Sequence, residues 1–204
     1  MNAFLKSVAM AAVLAAASVG AAHAAAGVDP DWPCIQRKQP NLSLGQIWTG
    51  PVPDEAVTAL AASPPIKAFA ERLEQRRLPM ADAEAEIAEF GKTADNETLT
   101  ALMVAVTHGI DGRRQALMGG IGRYGHKQVD LAAQIEARRA KMAGMEAAAS
   151  PDFDAIDAEE KALDWDSRIF TDRQQSLTYV CEMPVILEQR AFALGRAIAG
   201  QLKN

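Results

Sequence analysis

Apolar positions recur every seven residues through most of the C-terminal half of the chain. Met103, Ile110, Leu117, Tyr124, Leu131 and Met145 form one row, with Arg138 taking the step between the last two. Val106, Ile121, Ile135 and Met142 form a second row after one shift of register near Ile110 to Leu117. No proline occurs from Asp95 to Ala148. Sevenfold spacing sustained over this length predicts one long helix presenting a coiled-coil seam. In "AAASPDFDAI", Ser150 suits an N-cap, Pro151 the first helical position, and Asp152 and Asp154 the positive end of a helix dipole. A second long helix is therefore predicted from about Pro151. Its seam is Ile156, Leu163, Phe170 and Leu177, joined later by Val180, Leu187, Leu194 and Ile198. A turn this short makes the two helices antiparallel neighbours, pairing positions that sum to about 301, such as Leu131 with Phe170.

The pattern upstream is different. Residues 25–53 carry five prolines and no helical period, which predicts an extended strap whose Trp32, Ile35, Leu42, Ile47 and Trp48 pack on other elements. Short helices are expected from Asp54 to Ala62, Pro65 to Arg76 and Pro79 to Phe90, with Gly91 as a stop. The fold expected is all-α. Residues 93–204 form a long antiparallel hairpin, and residues 54–92 with the 25–53 strap wrap its base in the same domain. Val104, Val106, Ile186, Leu187, Phe192, Leu194 and Ile198 are expected to crowd that base, whereas Gln128, Arg138, Glu160 and Gln174 lie close to the seam nearer the tip. The arms beyond the base reach roughly 45 Å at the helical rise.

Residues 1–24 combine Lys6, an alanine-rich apolar run and Ala22-His23-Ala24, the pattern of a cleaved secretory signal peptide. No later stretch has transmembrane length, so the expected location is the periplasm. A formal net charge of −5 without a clustered basic surface argues against nucleic acid. The two cysteines beyond the leader, Cys34 and Cys181, read as one disulfide in an oxidising compartment. Neither C-x-x-C nor a haem attachment motif is present.

"GGIGRYGHKQ" places Gly120, Gly122 and Gly125 at the G-x-G-x-x-G spacing of a dinucleotide-binding turn. Such a turn needs a preceding strand, and here both flanks have helical period. The stretch is expected to be a weak point or kink in the helix. It falls opposite Cys181 and Pro184, where glycine would let backbones approach. "DFDAIDAEEKALDWD" holds seven carboxylates in fifteen residues, but lacks EF-hand spacing and reads as a solvated helix. His108 and His126 are too far apart on one helix to share a metal. A methionine and histidine site joining His108 to Met183 is the remaining metal or haem arrangement. No Ser/His/Asp signature appears.

The segment from Asp164 to Arg190 sets Trp165 and Tyr179 off the seam, with Arg168, Arg173 and Arg190 as planar donors. Aromatic plus arginine is the composition of interface anchors. The same residues would also serve to cover the strap or the short helices. "DWPCIQRK" near the mature start, with "RIF", "SLTYVCEMP" and "LEQR" near the end, resembles a group of uncharacterised exported helical proteins of proteobacteria with no established activity. The resemblance supports pairing Cys34 with Cys181 and supplies no catalytic residue. The glycines of "GGIGRYG" lie outside its pattern.

These features lead to the expectation of a periplasmic adaptor, chaperone or assembly factor, not an enzyme. It would engage a protein partner or a second copy through a projecting hairpin, with Trp165, Arg168 and Arg138 as contact residues. No metal, cofactor, dinucleotide, nucleic acid or membrane span is expected. The alternative is a small-ligand, metal or haem carrier using the base of the bundle.

Overall fold

A computed structural model describes residues 32–203, and the leader expected at 1–24 lies outside them. Among the described residues six helices follow in order: α1 (Leu44–Ile47), α2 (Glu55–Ala61), α3 (Pro64–Leu73), α4 (Met80–Gly91), α5 (Asn96–Glu146) and α6 (Phe153–Ala199). No strand occurs among the described residues. The fold is all-α, and α5 and α6 form the hairpin.

Local chemistry sets the boundaries. Asp54, Asp95 and Asp152 cap α2, α5 and α6 by accepting from the backbone N–H of Val57, Thr98 and Ala155. Pro64 and Pro65 occupy the first turn of α3, where a missing N–H costs nothing. The start of α6 is later than expected: Asp152, not Ser150, is the cap, and Pro151 precedes the helix.

The strap departs from expectation twice. One helical turn, α1, interrupts it, because Ile47 and Trp48 must face the core. Ile35 does not pack at all and is fully exposed. Leu42 is buried with Ile47 and Trp48, while Trp32 is half-buried, its indole N–H donating to the Gln36 carbonyl at 2.7 Å.

The base holds the core, although Ile186 and Phe192 of α6, expected to crowd it, are exposed instead. Leu99, Leu102, Met103, Val106 and Ile110 of α5 join Leu187, Ala191, Leu194 and Ile198 of α6. Ile66, Ala70 and Leu73 of α3 and Ala83 and Ile87 of α4 complete this cluster. Val57 and Ala61 of α2 cover Ala101 and Val104. Every residue from Leu99 to Val104 is buried, as expected of a helix surrounded on all sides. Phe69 and Phe90 join α3 to α4 with ring centroids 4.9 Å apart. At Gly195 the strap crosses α6 so closely that a Cβ would sit 2.5 Å from the Ile47 carbonyl oxygen.

Polar clamps surround this core. The buried Arg114 guanidinium donates to Glu188 at 2.6 Å, to Asp111 at 3.3 Å and to the Gln39 carbonyl of the strap. Arg190 donates through Nε and Nη2 to the Leu73 carbonyl near the end of α3. The ends of the hairpin are tied by Asn96, which exchanges hydrogen bonds with the Lys203 backbone. Cys34 and Cys181 are disulfide-bonded, with Cα atoms 5.5 Å apart, fastening the strap where the hairpin leaves the base.

The glycine-rich stretch lies inside α5, which continues through it as a helix. Backbone approach does not explain Gly119 or Gly120. A Cβ at either would meet only the flexible end of Arg123, at 3.4 and 3.9 Å. Gly120→Ala is therefore expected to stabilise the protein by about 0.5–1 kcal/mol, the helix propensity difference. Denaturant titration should show a raised midpoint with unchanged slope. An unchanged or lowered midpoint would mean that a bend at this point is required.

Candidate functional site

The outer hairpin, from about Lys127 to Val180, has a different interior from the base. On α5, Leu131 and Ile135 are buried, but no residue from Arg139 to the turn is. On α6 the sevenfold row of Ile156, Leu163, Phe170 and Leu177 is only half-buried. Between Arg139 and Val180, Glu159 is the only buried residue among those described, and it is charged. Lys141 faces Glu159 and Leu131 adjoins Ile169, which keeps the register expected from the short turn.

Polar groups replace apolar contacts inside this arm. Gln128 is buried, and its Nε2 donates to the Phe170 carbonyl at 3.0 Å. Its buried Oε1 has no hydrogen-bond partner. Arg138 Nε donates to Asp166 at 2.7 Å and Nη1 to Glu159 at 2.9 Å, while Lys141 Nζ reaches the other Glu159 oxygen at 2.7 Å. Hydrogen bonds from Lys141 and then Arg138 hold the Glu159 carboxyl below its ordinary range. The network fixes alignment between the helices, and it offers little apolar burial to hold them together.

The three expected contact residues separate in the structure. Trp165 is 62% exposed and lines a groove of about 410 Å³ on one flank of the hairpin. Lys127, Asp130, Leu131 and Gln134 of α5 and Asp166, Ile169 and Arg173 of α6 complete that groove. Arg168 is exposed on α6 but does not line it. Arg138 faces inward, and both carboxylates it touches belong to α6. Arg173 is thus the arginine that shares the groove with Trp165. The spacing Trp165, Ile169, Arg173 was readable as one helix face.

A second groove, about 230 Å³, opens on the other flank between Ile135, Arg139, Ser167 and Phe170. A third space, about 370 Å³, lies beneath the disulfide-bonded strap between Ile35, Gln128, Gln174 and Leu177. Tyr179 is 76% exposed, so it does not cover the strap or the short helices.

No group of three or more metal-ligating side chains occurs among the described residues. His108 lies at a cleft in the base, whereas the Met183 sulfur accepts from Arg76 Nη1 at 3.4 Å. No helix among the described residues is long and apolar enough to cross a membrane. No family model, curated protein or solved structure matches the chain.

Proposed function

We propose that this chain is an exported protein-interaction module, an adaptor, chaperone or assembly factor of the periplasm, and that it acts through the outer hairpin. One observation carries the reading: a regular apolar row on α6, from Ile156 to Leu177, that its own partner helix leaves half-covered. Fully burying a Leu, Ile or Phe is worth about 1.5–3 kcal/mol, so a bound protein has several such increments to gain here. Trp165 beside Arg173 supplies the anchor chemistry typical of interface centres. Asp152, Asp154, Glu160 and Asp164 are exposed along the same helix, which suits a partner with basic groups flanking an apolar ridge and disfavours pairing of two α6 faces.

The leader pattern of residues 1–24 and the Cys34–Cys181 bridge support export to an oxidising compartment. Membership of the group of exported helical proteins belongs to the same proposal, as does the absence of enzymatic activity.

Crosslinking in the native cell, followed by identification of the attached protein, tests the reading. Removing about two heptads from each arm beside the turn should leave a folded, disulfide-bonded base that no longer captures the partner. Trp165→Ala should weaken capture roughly thirtyfold, as expected for loss of about 2 kcal/mol at an anchor. Full-strength capture by the shortened protein would place the binding surface on the strap and base. Recovery of only the chain itself, with matching dimerisation in solution, would replace the foreign partner by a second copy.

A further inference from the structure

A cleft of about 490 Å³ opens at the base, away from the outer arm, between α2, α3 and α5. Its walls are Thr58, Ala61 and Ala62 at the end of α2, Ala70 of α3 and Ala105 of α5. Elsewhere in the base, leucine, isoleucine and methionine fill the space between helices. Four alanines instead leave a slot with short apolar walls, of a size ordinary for small-molecule sites. Lys67, Glu71 and His108 line it as exposed residues, and Glu74 lines it while itself only 2% exposed.

The α5 helix is shaped to admit that carboxylate. A Cβ at Gly109 would sit 2.5 Å from Glu74 Cδ, so any other residue there would collide with the acid. Yet Glu74 is poorly compensated. Arg113 Nη2 stands 3.2 Å from Oε2 on a side chain that is 47% exposed, and Oε2 accepts no hydrogen bond. The contrast is with Glu159, the other buried acid among the described residues, which holds two cationic partners. Burial pushes the Glu74 carboxyl up to about 7, with the Arg113 charge opposing the rise and Glu71 adding to it.

An unsatisfied, buried acceptor at the wall of a narrow apolar slot is complementary to a donor carried on a compact hydrocarbon. We propose that the base cleft binds a small organic ammonium ion, a primary amine that donates to Glu74 while its apolar body lies among Ala61, Ala62, Ala70 and Ala105. A carboxylate ligand would meet the charges of Glu74 and Glu71. The titratable and charged groups around Glu74 are Lys67 and Glu71 from α3 and His108 and Arg113 from α5. From α6, Arg190 reaches the carbonyl of the adjacent Leu73, and α2 adds no titratable group to the lining. The site gives the carrier reading a place and a chemistry, and it is independent of the hairpin tip.

Isothermal titration of the mature protein with n-pentylamine, against n-pentanol and pentanoate, tests the proposal. The amine should bind saturably, and the two controls at least tenfold more weakly. The amine stays protonated throughout, so affinity follows the ionised fraction of Glu74. For an acid titrating near 7, affinity should fall roughly thirtyfold from pH 8 to pH 5.5, with proton release on binding near neutrality. Glu74→Gln should abolish binding. Ala62→Leu, at an exposed position, should also abolish it by narrowing the slot without touching Glu74, and it decides the matter if Glu74→Gln fails to fold. The proposal is overturned if the parent shows no binding at about 10 mM amine, if pentanol or pentanoate binds as tightly, or if either variant retains parental affinity. The arm-shortened protein should bind the amine normally, so failure of this proposal and failure of the hairpin reading are distinguishable.

Discussion

Arg114→Met is expected to destabilise the protein by about 3–5 kcal/mol and to lower its melting temperature by roughly 10 °C. The guanidinium is 1% exposed and joins three parts of the chain: α5 through Asp111, α6 through Glu188 and the strap through the Gln39 carbonyl. Methionine keeps much of the apolar stem but leaves Glu188 and the strap carbonyl without their charged donor. Breaking a buried pair by removing one partner costs far more than the intact pair contributes. Lysine should rescue little, because a single ammonium does not reproduce three donors in fixed directions. Adding Glu188→Gln should recover part of the loss, since the stranded charge is then gone. Thermal melts followed by circular dichroism decide the matter, and a fall below about 3 °C for Arg114→Met would show that this guanidinium is not a clamp.

Removing the Cys34–Cys181 bridge by paired serine substitution is the second large effect. The two cysteines are separated by 147 positions, and releasing so long a loop costs up to about 5 kcal/mol in the chain-entropy model. Helix content should barely change, because Arg114 with Gln39 and the Leu42 N–H on Asp111 still hold the strap farther along. Loss of order should concentrate on the first described residues, reported by Trp32, whose indole is tied only locally to Gln36. Non-reducing mass spectrometry of the exported protein should find a start close to Ala25 and a mass two hydrogens below the dithiol. Two thiols that alkylate without reductant would remove the staple, and a melting temperature unchanged by the substitutions would show that it adds no stability.

Helix α5 was legible because nothing competes with a proline-free sevenfold row that ends in a polar turn, and α6 because its sevenfold row runs on past Pro184. The start of α6 was less so, since Ser150 and Asp152 are both good caps and only the backbone geometry selects the second. The one-turn α1 carries no period of its own and exists because Ile47 and Trp48 are pulled into the base. Ile35 misled for the converse reason: being apolar does not give a residue a place to pack when its neighbour Cys34 fixes the chain. Glycines were visible as a group, but not which of them faces another element. A Cβ would meet another part of the chain at under 3 Å at Gly50, Gly91, Gly109 and Gly195, all outside the conspicuous run.

For the candidate groove, Trp165 was legible as an aromatic off the seam. Arg138 was expected as a contact residue, but its position in the sevenfold row already directed it inward, where it pairs with Glu159 and Asp166. Glu74 gave no signal, as one acid within "ERLEQRR" that only the packing of α3 on α5 turns into the interior.

The distribution of burial along the hairpin also dictates an order of events during folding. Zipping from the turn would begin at the arm with the least apolar contact to gain, so it lacks a driving force. The strong contacts instead join residues near Leu99 to residues near Ile198, both at the base and far apart along the sequence. Ordering must therefore wait for closure of a long loop, a slow step by its topology. The helices made first have no surface to settle on until the last one is complete. Cys34 then meets Cys181 on a finished base, so oxidation of this pair marks a chain that has already folded.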